Sequence, residues 1–558
     1  MFTVVYSVIL DRIIPIMMGL TNASNQHDLF VPGINLDLRV RSDHPLRKIA
    51  QALDLGFVRE EVARFYGRNG NPSVDPEVLV KMLLLLFLDD VSSERELMRI
   101  IPERLDYLWF LGYKIDDAIP NHSVLSKARK RWGAEVFESI FVRTVQQCAQ
   151  AGLIDGRKIH MDSSLIDANA SNNAVSKSSP ELVRRLKEAF QKEERKLHCM
   201  EGARSQAAPE ETSPVPKGVN KTLVNLSDPE APVVSRLGKG ARARYKSHRV
   251  VDDAHGVVTA VETTGGDVAD GQRLGTLVGQ HEANAGQSVG TVVADSGYGT
   301  TENFVACQQR GIRSHMASMA ATQEAARQNK GLFHEDQFHY DASNDAYLCP
   351  AGHAMKPRRL HPTRRTQEYF LPKKTCGGCP LRQQCTKAKT SRTIQRHEHQ
   401  EALTEARRQS GSAKARRDRS RRKHLMEGSF ADAANNHGFK RARWRGLWRQ
   451  SIQDYLIAAV QNLRLLIARG GRKPTLYAVA GILPVTMRTK CESRGFAPGC
   501  PASAALPRAL RSLIFGLTPA FRAQATRRHS SSPGSEWISP RRRLRSMVVQ
   551  CRDWATRR

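Results

Sequence analysis

The chain has 558 residues, 40% of them hydrophobic and 25% charged, with 86 Lys plus Arg against 55 Asp plus Glu and a formal net charge of +31. That length allows two to four domains and a core that needs no cross-links, and four of the ten cysteines fall between Cys349 and Cys385, which excludes a secreted disulfide framework and suggests a reduced, cytoplasmic metal cluster. Charge of this sign and size points to a polyanion such as nucleic acid, because neutralising phosphates releases condensed counterions.

Residues 1–40 read as an N-terminal extension without an assigned role: either a start codon placed too far upstream or a functional segment. Met1 to Leu20 is apolar, but Asp11, Arg12 and Pro15 interrupt it and no basic lead-in precedes it, so it is neither a signal peptide nor a membrane span. Residues 41–150 read as helical. Asp75-Pro76-Glu77 opens a helix with Leu79, Met82, Leu83 and Leu86 on one face, and Ser93-x-x-Glu96 is a capping box for the next. A third helix follows the Pro120-Asn121-His122-Ser123 turn and carries Lys127, Arg129, Lys130 and Arg131 before Gly133. It is either a DNA-contacting helix of helix-turn-helix type, touching mainly phosphate, or a solvated basic face.

Residues 151–470 read as an α/β domain. Its first strand, Lys158-Ile159-His160-Met161, ends in Asp162 and a run of small polar residues; Tyr245–Asp252 and Gly256–Val261 alternate like a hairpin around Asp253-Ala254-His255. A helix from Asp270 to about Glu282 leads to the strand Gly290–Asp295, and a helix over Glu302–Gln309 precedes a strand at Ile312–Met316. Insertions interrupt this pattern at about 176–240 and 320–415. The order β, β-β, α, β, α, β, with acids closing the first and fourth strands, is the layout of an RNase H-like mixed sheet. Glu427, on the helical stretch Lys423–Phe430, supplies a third acid. Aspartates at strand ends are often only turn residues; Asp167 competes with Asp162, and Asp252 and Asp253 read as hairpin residues.

Pro120-Asn121-His122-Ser123, Met161-Asp162-Ser163-Ser164, Leu226-Ser227-Asp228-Pro229-Glu230-Ala231, Tyr245-Lys246-Ser247-His248, Ala294-Asp295-Ser296-Gly297-Tyr298-Gly299 and Glu427-Gly428-Ser429-Phe430, with Arg445-Gly446-Leu447 and Asn462-Leu463 beyond, together resemble the DDE transposases of bacterial insertion sequences. The likeness spans about Asn69 to Ala468, and its branch has a helical N-terminal domain and a cysteine-containing insert. It implies a catalytic triad of Asp162, Asp295 and Glu427, with two Mg2+ ions (Mn2+ as substitute) held by those acids. It further implies cleavage at transposon ends, transfer of the 3′-hydroxyl to target DNA, and a homo-oligomer on double-stranded DNA. One departure stands out: the Y-x2-R-x3-E-x6-K pattern of related enzymes is Ser420, Lys423, Glu427 and Ala434 here; Lys423 keeps a positive charge and counts with the DNA-binding cations, while the lost auxiliary phosphate contacts fall to Arg421, Arg422 or Lys440.

The cysteines Cys349, Cys376, Cys379 and Cys385, with His353 in reserve, suit a structural Zn2+ site, the alternative being free thiols. Further on, Lys440, Arg441, Arg443 and Arg445 alternate with Trp444 and Trp448, which suits phosphate contact with aromatic stacking. Gln453 to Ala468 reads as an apolar-faced closing helix. Residues 471–558 hold 17 Lys plus Arg against three acids and no sustained periodicity, and read as a disordered or aberrant extension or a DNA-binding arm. The leading expectation is a nucleoid-associated DNA transposase of the cytoplasm. The alternative is a catalytically decayed, sequence-specific DNA-binding protein derived from one.

Overall fold

In a computed structural model the described residues are 35–67, 72–200, 222–236, 239–318, 324 and 326–469. Most of the N-terminal extension, the C-terminal tail and residues 201–221 of the first insertion lie outside them. Among the described residues no helix is long and apolar enough to cross a membrane.

Helix α1, Pro76–Leu88, starts where Asp75 accepts from the Glu77 N–H at 3.0 Å. It is more deeply placed than its expected single face: of Val78 to Leu88 only Lys81 escapes full burial. Ser93 caps the next helix through the Glu96 N–H at 3.2 Å, as the capping box requires. The basic helix is the first part of α2, Ser123–Gln150, which breaks at Gly133, where φ is 71° and only glycine is unstrained.

The central sheet has six strands. The first is β1 (Lys158–Asp167), and a small hairpin of β2 (Val175–Lys177) and β3 (Leu223–Asn225) follows it off the sheet. Then come β4 (Val233–Arg236), β5 (Lys239–Asp252), β6 (Val258–Gly265), β7 (Thr291–Val293) and β8 (Arg313–Ser314). The path β4-β5-β1-β7-β8, with β6 also on β5, has antiparallel β5 and parallel β7 flanking β1. This is the expected mixed sheet and strand order. Ile159 and Met161 pack with Val292 and Ala294 against α3 (Leu274–Ala285) and α4 (Thr301–Gln309), so His160 and Asp162 face the other side by the two-residue period of a strand. That side is covered by α5 (Ala413–Asn436) and α6 (Leu447–Arg469), and one buried cluster runs continuously from Leu46 through α1 and α2 to Val460.

The second insertion forms its own five-stranded antiparallel sheet: β9 (His339–Asp341), β10 (Ala346–Leu348), β11 (Ala354–His361), β12 (Thr366–Phe370) and β13 (Thr393–His397). Its core is small, built from Phe338, Tyr347, Met355, Tyr369, Leu371 and Ile394 with three of the cysteines against it.

Candidate active site

Asp162 is not at a strand tip. β1 continues to Asp167 because β5 supplies ladder partners throughout, pairing Asp162 with Arg249 and Asp167 with Arg244. The end that matters belongs to the parallel ladder, whose last pair is His160 with Val293. Asp162 lies two residues beyond that pair, still within β1, and Asp295 lies two residues beyond it, just past the end of β7; the two stand near enough for the charge of Asp295 to act on Asp162. Their competitors have other work. Asp167 accepts from Arg244 at 2.7 Å and Arg242 at 3.1 Å, Asp252 from the Gly156 and Ala254 N–H groups at 2.8 Å each, and Asp253 from Lys158, His160 and Arg421.

Burial pushes the Asp162 carboxyl above the usual range, and the charge of Asp295 adds to this; Arg422, donating at 2.5 Å, and the Ser163 N–H at 2.8 Å oppose it. Asp295 accepts from the Gly297 N–H at 2.9 Å, an Asx-type turn that fixes the carboxylate beside the strand end. Nearby, Tyr298 is fully buried, its hydroxyl has no hydrogen-bond partner, and burial with the charges of Asp270, Asp162 and Asp295 raises its pKa well above normal.

Glu427 departs from the expected cluster. The buried residues of α5 include Asp418, Arg422, Met426 and Phe430, a stripe at four-residue spacing; Glu427, five residues after Arg422, is exposed and has no hydrogen-bond or ion-pair partner. Among the described residues no three His, Cys, Asp or Glu side chains are gathered tightly enough to hold a metal ion. Arg422 instead occupies Asp162, while Asp418 binds Lys158 at 3.2 Å and His315 at 2.7 Å.

The nine cations assigned to DNA divide sharply. Arg129 is buried, ion-paired with Glu94 and 3.9 Å above the Trp444 ring, and Arg443 bonds Asp90 at 2.6 Å and the Val91 carbonyl. Both are internal braces rather than DNA contacts, and Trp444 is packed between Arg129 and Phe87 rather than offered to bases. Lys127, Lys423, Lys440, Arg441 and Arg445 are exposed, and Lys130 and Arg131 half-buried. The motif around Asp228 is structural as well: Asp228 accepts from Tyr245 at 2.7 Å, and Glu230 from the Leu447 N–H at 2.8 Å at the start of α6.

Cys349, Cys376, Cys379 and Cys385 line one small cavity of about 30 Å³ in the second insertion, with His353 at its rim. All four are free thiols, and burial together with the neighbouring thiols raises Cys376 and Cys385.

Sequence reasoning did not foresee that Asp270, Lys246 and Tyr298 lie beside Asp162 and Asp295, since Asp270 read as a helix start and Lys246 as a strand residue. The available signal was the Gly297-Tyr298 pair directly after an acid-ended strand.

Comparison with known families finds two matches. Residues 34–131 match the family described as Transposase domain (DUF772), and residues 348–467 match that described as Transposase DDE domain. The second stretch contains Glu427 and the four cysteines, whereas Asp162 and Asp295 lie between the two. No curated protein matches the sequence. Two transposase family models thus match on either side, in sequence, of an acid-bearing mixed sheet, and support a likeness to DDE transposases of insertion-sequence type.

Proposed function

We propose that this transposase uses divalent cations to cut DNA at transposon ends and to join the freed 3′-hydroxyl to target DNA. The observation that carries the reading is the placement of Asp162 and Asp295, each two residues past the His160–Val293 pair and near enough for the charge of one to act on the other. One carboxylate is carried on a laddered strand and the other is anchored by a turn at the end of the neighbouring parallel strand, which supports the rigidity a phosphoryl-transfer site requires. The residues present fit hard cations: the donors are all oxygen, and a buried hydroxyl without a partner stands beside them. Asp162, Asp295 and, from α5, Glu427 would hold Mg2+, with Mn2+ as substitute. Bound there, the ions activate an oxygen nucleophile and neutralise the leaving oxygen.

The chain's own side chains do the rest. Arg422 neutralises Asp162 and orients it, and exposed Lys127, Lys423, Lys440, Arg441 and Arg445 bind phosphates. Two transposon ends have to be held together, which supports a homo-oligomer on DNA. In the second insertion, four thiols around one cavity support a structural Zn2+ held by Cys349, Cys376, Cys379 and Cys385. A decayed DNA-binding protein is the second reading, favoured by the exposed, unpartnered Glu427. The test is Mg2+-dependent cleavage and joining of DNA bearing the element's ends. Cutting by wild type, and binding without cutting by Asp162→Asn and Asp295→Asn, is expected. A wild type that binds the ends and never cuts selects the decayed reading.

A further inference from the structure

A third aspartate reaches the same edge of the sheet from the opposite face. Asp270 opens the short helical turn before α3, and its Oδ1 accepts from Ser163 Oγ at 2.8 Å and Lys246 Nζ at 3.1 Å. Ser163 is the neighbour of Asp162 in β1. The other oxygen, Oδ2, is turned towards Gly297: a Cβ built on that glycine would lie 3.1 Å from Asp270 Oδ2 and 3.1 Å from Asp295 Oδ1. Gly297 therefore leaves open, by lacking a side chain, the space beside these two carboxylate oxygens. Asp162, Asp270 and Asp295 all act on the Tyr298 hydroxyl, which is buried and unpartnered. Leaving a buried hydroxyl unpartnered is unfavourable, so its retention among three acids fits a role in hydrogen bonding to a ligand held by them.

We infer that Asp270 is a further carboxylate of the cation site, using Oδ2 beside Asp295 while Lys246 and Ser163 hold Oδ1, and that the Tyr298 hydroxyl bonds a water on the bound cation. This rests on the metal-dependent reading of Asp162 and Asp295 and adds an acid from the turn before α3 to the helix-borne Glu427. Lys246 and Arg422 keep the carboxylates apart and charge-balanced before a cation enters.

Mn2+ alone is the probe, titrated into the full chain and followed by the loss of its free electron-paramagnetic resonance signal, with thermal unfolding run in parallel. Asp162→Asn, Asp270→Asn and Gly297→Ala are compared with wild type. Gly297→Ala removes no donor and only wedges Asp270 from Asp295, so it separates site geometry from any folding defect caused by losing the Lys246 bond. The expected result is Mn2+ binding weakened at least tenfold by Asp270→Asn and Gly297→Ala, with unfolding temperatures close to wild type. Wild-type affinity in Asp270→Asn, with binding lost in Asp162→Asn, overturns the role of Asp270 and leaves the metal site standing. Absence of Mn2+ binding by wild type overturns both.

Discussion

The acids on the sheet and the acid on α5 are held in different ways. Asp162 takes its position from ladder hydrogen bonds within β1, where a one-residue slip would turn it to the other face, and Asp295 takes its position from the laddered end of β7 and its own turn to the Gly297 N–H. Glu427 takes its position from the rotational phase of a helix whose buried stripe is partly charged, Asp418 and Arg422 being held by Lys158, His315 and Asp162. A sheet thus delivers functional groups by register, whereas a helix delivers them only as well as its packing face is specified. The largest expected effect follows from this difference. Asp162→Asn or Asp295→Asn lowers end cleavage at least about a thousandfold, the scale of several kcal/mol of lost charge stabilisation, while Glu427→Gln lowers it about ten- to a hundredfold. Equal losses in single-turnover cleavage would break the comparison, and would mean that α5 rotates to bring Glu427 in when DNA binds.

How far the sequence foretold this depended on the kind of constraint. Strand order was readable because apolar Ile159 and Met161 alternate with His160 and Asp162 and a short apolar run over Val292–Ala294 ends in Asp295, as strands of a half-covered sheet do. The length of β1 was not, since Ser163 and Ser164 look like a loop until β5 is seen pairing them with His248 and Ser247. The phase of α5 was hidden because its inward stripe contains Asp418 and Arg422, so hydrophobic periodicity gave no direction. Buried Arg129 and half-buried Arg443 were misread as DNA contacts for a related reason: their partners Glu94 and Asp90 are 35 and 353 positions away, and a cation's fate depends on such partners. Asp270 needed the fold itself, which brings it to Ser163 across 107 positions.

The five-stranded module sits in the chain between β8 and α5, so its integrity bears on how the helix is presented to the sheet. Its apolar core is six side chains with Tyr340 and Tyr369 ringed around Tyr347, at centroid separations of 5.1 Å each, too little to hold five strands firmly without a staple. Structural zinc supplies on the order of 10 kcal/mol in small zinc modules. Zinc removal with a strong chelator, or the pair Cys376→Ser and Cys379→Ser, is expected to abolish the near-ultraviolet dichroism of these tyrosines at a temperature where the main sheet remains folded. A tyrosine signal indifferent to both treatments would assign the thiols to packing alone and leave the helix anchored from the sheet side.

That sheet-side anchor is Asp253, at the turn between β5 and β6. It accepts from Lys158 at 3.1 Å, His160 at 2.7 Å and Arg421 of α5 at 2.6 Å, tying helix and strand to one carboxylate. Burial raises its pKa, but the bonds from His160, Lys158 and Arg421 outweigh this and leave it below the usual carboxylate range. A carboxyl depressed in the folded state stabilises above its unfolded pKa, near 3.9, and ceases to do so as pH falls through the lower folded value. Asp253→Asn is therefore expected to cost about 1–2 kcal/mol at neutral pH, after allowance for partial exposure, with the difference from wild type shrinking as pH drops below about 4. Thermal unfolding of both proteins across that range measures it. The same variant sharpens the comparison between the two acid supports. With α5 loosened and the ladders intact, the Mn2+ affinity set by the sheet aspartates should stay within about twofold of wild type, while cleavage that depends on Glu427 falls; a matching fall in both would mean that the helix, through Arg422, positions Asp162 as much as the sheet does.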